Sequence, residues 1–258
     1  MDLGLADAVA VVTGASRGIG FACAKRLFAE GCRVLLVARG EEGLRTAKAA
    51  MDPAGGRVAT LATDVTTDDS APAIVEAAVR AFGGLDIVVA NAGGSAGSRV
   101  FDETTAADWE MTFRLNVVHA TNLLRAAASL MEAGGRGSAI FIASVSGSAP
   151  QGPNSQYAAA KAALIHAARS LAWEYAPKRI RVNAVSPGSI LFPGGGWERR
   201  QQNQPREFEA FAASEFPWGR LGSPEEVADV VAFLASPRSR WINALDLRVD
   251  GGQRRPSM

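Results

Sequence analysis

Short apolar runs alternate with longer segments of helical period along the chain. The runs are four to eight residues long and rich in β-branched side chains, and they cover residues 8–12, 34–38, 57–62, 85–90, 138–143, 180–185 and 245–249. Uninterrupted apolar runs of this length are typical of strands that are buried on both faces of a parallel sheet. The pattern therefore predicts about seven parallel strands.

The intervening segments are long enough for helices. They include residues 18–30, 67–82, 107–131 and 155–175. A further helix is predicted from Pro224 to about Ala235, because Ser223 can cap it and Glu226 completes a capping box. Alternation of strands and helices predicts right-handed βαβ crossovers. We therefore expect one α/β domain over residues 1–258, with a doubly wound parallel sheet and helices on both faces.

Composition excludes several classes of protein. The 27 basic and 26 acidic residues give a net charge of +1, which excludes the basic footprint of a nucleic-acid-binding protein. The two cysteines, Cys23 and Cys32, form no disulfide framework. No signal peptide pattern and no apolar run of about 18 residues is present. Neither His119 nor His166 has a partner at metal-ligand spacing. The sequence predicts a cytoplasmic protein without a metal site or a membrane partner.

One stretch breaks the alternation. Residues 187–220 contain six aromatic side chains and the run Pro193-Gly194-Gly195-Gly196. A long irregular insertion in a compact α/β domain is usually a binding loop or a lid. We expect a substrate lid at about 188–220, with its hinge in the glycine run. Its aromatic residues would form either the core of the lid or a substrate pocket.

A glycine-rich turn, TGASRGIG, covers residues 13–20 between the first strand and the first helix. Gly14 lets the chain turn sharply, Gly18 leaves room for a pyrophosphate, and Gly20 lets the helix pack closely on the sheet. The free N–H groups and the dipole of the helix then face the anion. This context predicts a dinucleotide site in a Rossmann-type fold.

The second strand indicates which dinucleotide binds. It ends at Ala38, and no acidic residue follows until Glu41, whereas an acid at this point would bind the ribose 2′-OH of NAD. Arg17 and Arg39 are placed to flank a 2′-phosphate, which suits the planar guanidinium group. The sequence favours NADP(H). The alternative is NAD(H), with Glu41 or Glu42 reaching back to the ribose.

Candidate catalytic residues lie in the central part of the chain. Tyr157 and Lys161 are four residues apart and share one face of a helix. A nearby ammonium lowers the pKa of a phenol from about 10, which would make Tyr157 a general acid or base. Ser144 ends a strand, where the active sites of α/β proteins gather. Asn116 lies inside a predicted helix, where asparagine is a weak helix former.

These motifs, taken together, resemble those of the short-chain dehydrogenase/reductase family, in its branch of about 250 residues, and specifically its 3-oxoacyl-carrier-protein reductase-like members. The resemblance covers residues 8–252. The matching positions occur in the family's order: 13–20, Asp64-Val65, Asn91-Ala92-Gly93, Asn116, Ser144, Tyr157 with Lys161, Pro187-Gly188 and Val249-Asp250-Gly251-Gly252.

The resemblance implies a catalytic role for four residues. Tyr157 would exchange the proton with the substrate oxygen, and Ser144 would hold that oxygen. Lys161 would bind the nicotinamide ribose and depress the pKa of Tyr157. Asn116 would hold a water in a proton relay that reaches Lys161. Hydride would then pass between the nicotinamide and a carbonyl or carbinol carbon of a small, apolar substrate.

The resemblance also implies the cofactor contacts. Asp64 would bind the adenine amine, Val65 would lie against the ring, and Asn91 would lie near the adenosine ribose. The full implied set is Gly14, Ser16, Arg17, Gly18, Ile19, Gly20, Arg39, Asp64, Val65, Asn91, Tyr157, Lys161, Pro187, Gly188 and Ile190. In one departure, Phe192 stands where the family often has a threonine that binds the carboxamide, so the backbone of Ile190 is the remaining candidate for that contact.

Several alternatives stay open on sequence alone. An NAD-dependent alcohol dehydrogenase is the rival within the family, and a non-catalytic dinucleotide-binding sensor or scaffold is the rival outside it. The family implies a homotetramer, with a dimer as the alternative, built on helices 107–131 and 155–175. The charges of the lid cancel, so the sequence does not name a substrate or favour an anionic one. It also leaves open whether an acyl-carrier protein is a partner.

Overall fold

A seven-stranded parallel sheet forms the centre of the molecule. The computed structural model describes residues 2–150 and 153–253. The strands are β1 Val9–Thr13, β2 Arg33–Ala38, β3 Val58–Ala62, β4 Ile87–Ala90, β5 Ser138–Ile142, β6 Arg181–Pro187 and β7 Asp246–Val249. Their order in the sheet is β3-β2-β1-β4-β5-β6-β7, and each pairs with its neighbours in parallel. The predicted strands and the predicted doubly wound α/β class are confirmed.

Helices cover both faces of the sheet. They are α1 Gly18–Ala29, α2 Glu41–Met51, α3 Ser70–Phe82, α4 Ala106–Phe113, α5 His119–Gly134, α6 Ser155–Tyr175, α7 Gly196–Asn203, α8 Pro205–Glu215 and α9 Pro224–Ala235. One core cluster lies between the sheet and α1, α2 and α9. A second cluster lies between the opposite face and α3, α5 and α6.

The apolar strand runs follow directly from this two-sided cover. Val9 and Val11 of β1 point into one core cluster, while Ala10 and Val12 point into the other. Because successive side chains of a strand alternate between faces, a strand covered on both sides must be apolar at every position. This is why the strands could be recognised from the sequence.

The strand order reverses beside β1, which pairs with β2 on one side and β4 on the other. The connections from β1 and β4 therefore leave toward opposite faces of the sheet, and a crevice opens at the carboxyl ends of these strands. Ligands of open α/β sheets bind at such a switch point. The glycine-rich turn after β1 and the Asn91 segment after β4 both lie at this crevice.

Two expectations about the helices need correction. The segment 107–131 is not one helix: α4 ends at Phe113, a π-helical turn covers Arg114–Val118, and α5 begins at His119. The stretch 187–220 is less irregular than expected, because it contains α7 and α8. The helix predicted after Ser223 is confirmed, with its complete capping box. Within the described residues, no helix is long and apolar enough to cross a membrane.

Candidate active site

The glycine-rich turn is packed tightly against the end of β4. Gly14 has φ +65°, and a Cβ there would lie 2.7 Å from Nδ2 of Asn91. A Cβ at Gly20 would collide with the carbonyl oxygen of Gly14 and with the same Asn91 amide. Asn91 fixes this arrangement by donating to the Thr13 carbonyl at 2.8 Å. The first and third glycines are therefore required by close approach of backbone segments.

The amino terminus of α1 is open to an anion. Its N-cap residue, Arg17, is extended and makes no side-chain cap, so the first N–H groups of the helix have no side-chain acceptor. Gly18 has φ +58° and presents no side chain there. Ser16 lies beside the turn, close to Gly43 of α2, where a Cβ would come within 3.1 Å of it. Together with the partly buried Ile19, these features fit the pyrophosphate of a dinucleotide.

The loop after β6 reaches the same turn. A Cβ at Gly18 would lie 2.8 Å from the ring of Phe192, and Arg17 donates to the carbonyl of Gly194 at 3.2 Å. Phe192 therefore lies over the glycine-rich turn, where a threonine would instead present a hydroxyl.

With Phe192 in place of a threonine, the peptide groups of Ile190 are the candidates in this loop for holding a carboxamide. Ile190 forms an isolated parallel bridge with Gly222. In that bridge, Ser189 accepts from Gly222 at 3.0 Å and Leu191 donates to it at 2.8 Å. The N–H and C=O groups of Ile190 point the other way and have no partner among the described residues. Gly188 packs against Asp250, and Pro187 ends β6.

Residues for the adenosine half of a dinucleotide lie beyond β2 and β3. Asp64 follows β3, and its Oδ1 accepts from both the N–H and the hydroxyl of Thr66 at 2.9 and 2.8 Å. These bonds, aided by the charge of Arg39, hold the pKa of Asp64 below its usual range. Arg39 is exposed and Val65 is buried. The structure thus brings Arg39, Asp64 and Val65 to one edge of the crevice.

The two sequence-predicted residues of α6 come together with Ser144. Ser144 lies two residues beyond the end of β5, and its Oγ accepts from the N–H of Ser146 at 3.1 Å. Lys161 is buried, its Nζ donates to the Ile142 carbonyl at 2.7 Å, and it lies 5.5 Å from the ring centre of Tyr157.

The electrostatics of this group differ from the expectation. Burial raises the pKa of Tyr157, while the hydrogen bond from Ser144 and the charge of Arg99 act in the opposite direction. Burial also lowers the pKa of Lys161 to about 7. In the free protein, burial therefore raises the pKa of Tyr157 instead of the depression that was expected. Both groups lie inside the protein, and the ammonium of Lys161 is directed at a backbone carbonyl.

Asn116 causes the break between α4 and α5. Its side chain is fully buried, and its Nδ2 donates to the carbonyls of Thr112 and Gly94, each at 2.7 Å. Its Oδ1 accepts from the N–H of Gly94 at 3.2 Å. These bonds tie the π-helical turn to the loop after β4, and such turns are frequent at functional sites. The side-chain amide of Asn116 therefore positions the loop after β4, and the water relay expected for this residue stays a prediction.

Two further glycines, Gly93 and Gly147, allow these groups to pack closely together. Neither was predicted from the sequence as a site residue. A Cβ at Gly93 would lie 2.7 Å from Oδ1 of Asn116 and 3.1 Å from Nζ of Lys161. A Cβ at Gly147 would lie 2.7 Å from the carbonyl carbon of Lys161. Gly147 therefore lets the turn after Ser144 pack directly on α6. The sequence showed Gly93 as part of a motif, but it could not show that this residue lies between Asn116 and Lys161.

His119 is the buried group behind this site. Its Nε2 lies 3.4 Å from Oγ1 of Thr13, which accepts from the N–H groups of Asn91 and Ala92 at 2.9 and 3.0 Å. Burial, together with the charge of Lys161, lowers the pKa of His119 to about 4. The imidazole is thus neutral at pH 7 and supports the ends of β1 and β4.

Comparisons with known proteins agree with this geometry. A family model described as enoyl-(acyl carrier protein) reductase matches residues 14–254. Cis-4-hydroxycyclohexanecarboxylate dehydrogenase of Sinomonas cyclohexanicum is 38% identical over 247 residues, which cover 96% of each chain. 3beta-hydroxysteroid dehydrogenase 1 of Eggerthella lenta is 36% identical, over 94% of this chain and 92% of the relative.

Solved structures give the same result. The crystal structure of L-sorbose reductase from Gluconobacter frateurii, complexed with NADPH and L-sorbose, has a TM-score of 0.91 and 35% identity over 98% of each chain. Fold, site and relatives define a nicotinamide-dependent oxidoreductase that acts on alcohol or carbonyl groups. The chain belongs to the short-chain dehydrogenase/reductase family.

Proposed function

We propose that the protein is an NADP(H)-dependent carbonyl reductase or alcohol dehydrogenase for a small substrate with a secondary hydroxyl or ketone on a largely apolar body. The observation that carries the proposal is the convergence of Tyr157, Lys161, Ser144 and Asn116 beside the glycine-rich turn. A non-catalytic sensor or scaffold would need the turn but not these four residues.

Each catalytic residue has a defined task in this proposal. The nicotinamide, when bound, supplies or accepts the hydride. Ser144 donates a hydrogen bond to the substrate oxygen, and Tyr157 transfers the proton to or from that oxygen. Lys161 binds a ribose hydroxyl and carries positive charge toward the phenol. Asn116 holds the loop after β4 through Gly94 and thereby keeps the crevice open beside Lys161.

The cofactor contacts follow from the placement of the loops. The turn residues Gly14, Ser16, Gly18, Ile19 and Gly20 would hold the pyrophosphate on the open amino terminus of α1. Asp64 has one carboxylate oxygen, Oδ2, that no bond to Thr66 occupies, and this atom would accept from the adenine amine, with Val65 against the ring. Asn91, Pro187, Gly188 and the peptide groups of Ile190 would line the ribose and carboxamide end.

Preference for NADP(H) is supported by the charges near the end of β2. Arg39 is exposed there and Arg17 lies across the turn. Glu42, which could otherwise bind the ribose of NAD, pairs with Arg45 at 2.6 Å. A 2′-phosphate would therefore meet guanidinium groups, while one of the two acids is already held by its own helix. The NADPH in the structure of the sorbose reductase is in agreement.

Replacing Arg39 by alanine tests this preference. One hydrogen bond to a charged group contributes about 1.5–3 kcal/mol, which corresponds to roughly 10- to 150-fold in kcat/KM. We expect a loss of this size for NADP(H) and little change for NAD(H). Lys48→Ala, on the helix that follows β2, is the control. Equal losses for both cofactors, or a preference of the parent enzyme for NAD(H), would contradict the proposal.

Arg99 supports a substrate that carries a carboxylate on its apolar body. Gln156, the neighbour of Tyr157, is buried and donates to the Ser98 carbonyl at 2.7 Å, which fixes the loop after β4 beside the catalytic tyrosine. Arg99 follows Ser98, is exposed, and has no ion pair within the described part of the chain. Its charge acts on the Tyr157 phenol and helps to lower that group's pKa. A carboxylate on the substrate would complement it, as in the hydroxycyclohexanecarboxylate on which one relative acts.

A ketone panel assayed with NADPH and NADH tests the proposed function. We expect 4-oxocyclohexanecarboxylate to be reduced with NADPH, with kcat/KM about tenfold above that of 4-methylcyclohexanone, because one charged contact contributes on the order of 1.4 kcal/mol. Arg99→Gln should remove this advantage, whereas its effect on the uncharged ketone should be smaller, because only the action of the Arg99 charge on Tyr157 is lost there. If neither ketone nor the corresponding alcohols reacts, the proposed substrate class is wrong.

The lid and the assembly complete the proposal. Residues 188–220 would close over the substrate; Trp197 and Phe211 stack at 4.8 Å and pack with Phe208 and Phe216 in a small core of their own. For the assembly, Trp173 of α6 is 81% exposed, and Met111 of α4 and Val118 of the π-helical turn are also exposed. Exposed large apolar side chains on these elements support a homotetramer with the segments 107–131 and 155–175 at one interface.

A further inference from the structure

A second cavity lies at the end of the sheet opposite the catalytic residues. Its volume is about 840 Å³. It is lined by residues that directly precede four of the strands: Ala8 before β1, Asp86 before β4, Gly137 before β5 and Ile180 before β6. Tyr157, Ser144 and the glycine-rich turn belong to the carboxyl ends of the strands. The two sites are therefore separated by the length of a strand, roughly 17 Å for five residues.

Four arginines line this cavity: Arg136, Arg179, Arg181 and Arg240. Asp86 is the one acidic residue that the described lining contains, and it pairs with Arg136 at 3.2 Å. Arg179 and Arg240 are exposed and have no ion pair with a described residue. The charges of Arg179, Arg181 and Arg240 are thus not balanced by carboxylates in the cavity.

Arg181 holds one of these charges inside the protein. It donates to the carbonyl of Leu234 at 2.8 Å and to that of Ser236 at 3.2 Å, at the carboxyl end of α9. These acceptors are neutral, and burial lowers the pKa of Arg181 to about 10. The guanidinium remains charged at pH 7, and an anion in the cavity would stabilise it.

Apolar groups form the rest of the cavity. Leu5, Ile87, Ile180 and Pro237 contribute to its walls. Trp241 also lines it and is 97% exposed, the largest exposed fraction among the large apolar side chains that the structure describes. An indole at the rim of an apolar cavity offers a flat face on which an aromatic ring can stack.

We propose that this cavity is a binding site for a small anion with a flat aromatic body. The anionic group, a carboxylate, sulfonate or phosphate, would be held by Arg179 and Arg240, whose planar donor forks match such groups. The aromatic body would lie on Trp241 and the apolar walls. Charge complementarity favours this occupant over a second copy of the chain, whose matching surface would have to supply several carboxylates. The site is distinct from the catalytic crevice.

Titration with 8-anilinonaphthalene-1-sulfonate tests the proposal, with NADP⁺ at saturation to fill the cofactor crevice. We expect saturable binding with energy transfer from Trp241, and weaker binding at high salt because the charges are exposed. In the double variant Arg179→Gln/Arg240→Gln the Kd should rise about tenfold. Lys25→Gln, which removes an exposed charge from α1, should leave the Kd unchanged. Reductase activity should be unchanged in both variants, which also shows that they are folded.

Four results would overturn the proposal. One is equal binding of N-phenyl-1-naphthylamine, which lacks the sulfonate, since this would show that charge plays no part. Another is an unchanged Kd in the double variant. Saturable binding that is seen only when NADP⁺ is left out would assign the probe to the cofactor crevice. A change of oligomeric state in the double variant, measured by light scattering, would show that a second copy of the chain covers this face.

Discussion

Replacing Tyr157 by phenylalanine is expected to lower turnover by about 10²–10⁴-fold, the range typical for loss of a general acid or base. The substitution removes one hydroxyl and keeps the ring that packs at the start of α6. Cofactor binding should persist, because the glycine-rich turn and Asp64 are untouched. Turnover under substrate saturation and the Kd of NADPH, measured by fluorescence, separate the two effects.

The chain offers a matched control for this substitution. Tyr175 is the only other tyrosine, it lies at the end of the same helix, and Tyr175→Phe removes a hydroxyl about 27 Å away along the helix axis, at 1.5 Å per residue. We expect Tyr175→Phe to retain parental turnover. If Tyr157→Phe also retains it, the proton is transferred by another group and the proposed mechanism is wrong.

The environment of Tyr157 favours one direction of the reaction, the reduction of a carbonyl. Burial raises the pKa of the phenol, so the group is protonated at pH 7 and ready to donate a proton to a carbonyl oxygen. Acting as a base on an alcohol requires the phenolate, which burial disfavours. Ser144 and Arg99 both act to lower the pKa. A carboxylate bound by Arg99 would partly cancel that contribution and favour the protonated phenol used in reduction.

The fold was predictable because local sequence and burial agree. The central strands β1, β2 and β4 are largely apolar on both faces. α6 was predicted with its observed limits, 155–175. The break between α4 and α5 was not predictable, since it depends on the amide of Asn116 bonding to Gly94, 22 residues earlier in the chain. α7 and α8 were missed because glycines, prolines and charges dominate the local pattern of that stretch.

Some residues of the candidate site were also predictable from the sequence, and others were not. Tyr157, Lys161 and the glycine-rich turn have local spacing with a physical meaning, so they could be selected from the sequence. Arg99 could not, because its position beside Tyr157 depends on the bond from Gln156 to Ser98. The direction of the Tyr157 pKa shift was also missed, since helical spacing shows the nearby ammonium but not the desolvation of both groups.

Gly93 gives the second large effect that we expect. The residue has an ordinary backbone conformation, with no positive φ, so replacement by alanine tests space alone. The new Cβ would lie 2.7 Å from Oδ1 of Asn116 and 3.1 Å from Nζ of Lys161. Both neighbours are already fixed, Asn116 by the Gly94 and Thr112 backbone and Lys161 by the Ile142 carbonyl. One of them must therefore move.

The movement should reduce turnover far more than it reduces stability. Displacement of about 1 Å in a catalytic arrangement can cost on the order of 10²-fold in rate, whereas overpacking against buried side chains typically costs about 1–3 kcal/mol. We expect Gly93→Ala to lower kcat by roughly that factor while the protein stays folded by circular dichroism. Gly84→Ala is the control, because no atom lies within 4 Å of a Cβ there. Parental turnover in Gly93→Ala would show that the close packing of Asn116 and Lys161 against this glycine has no catalytic importance.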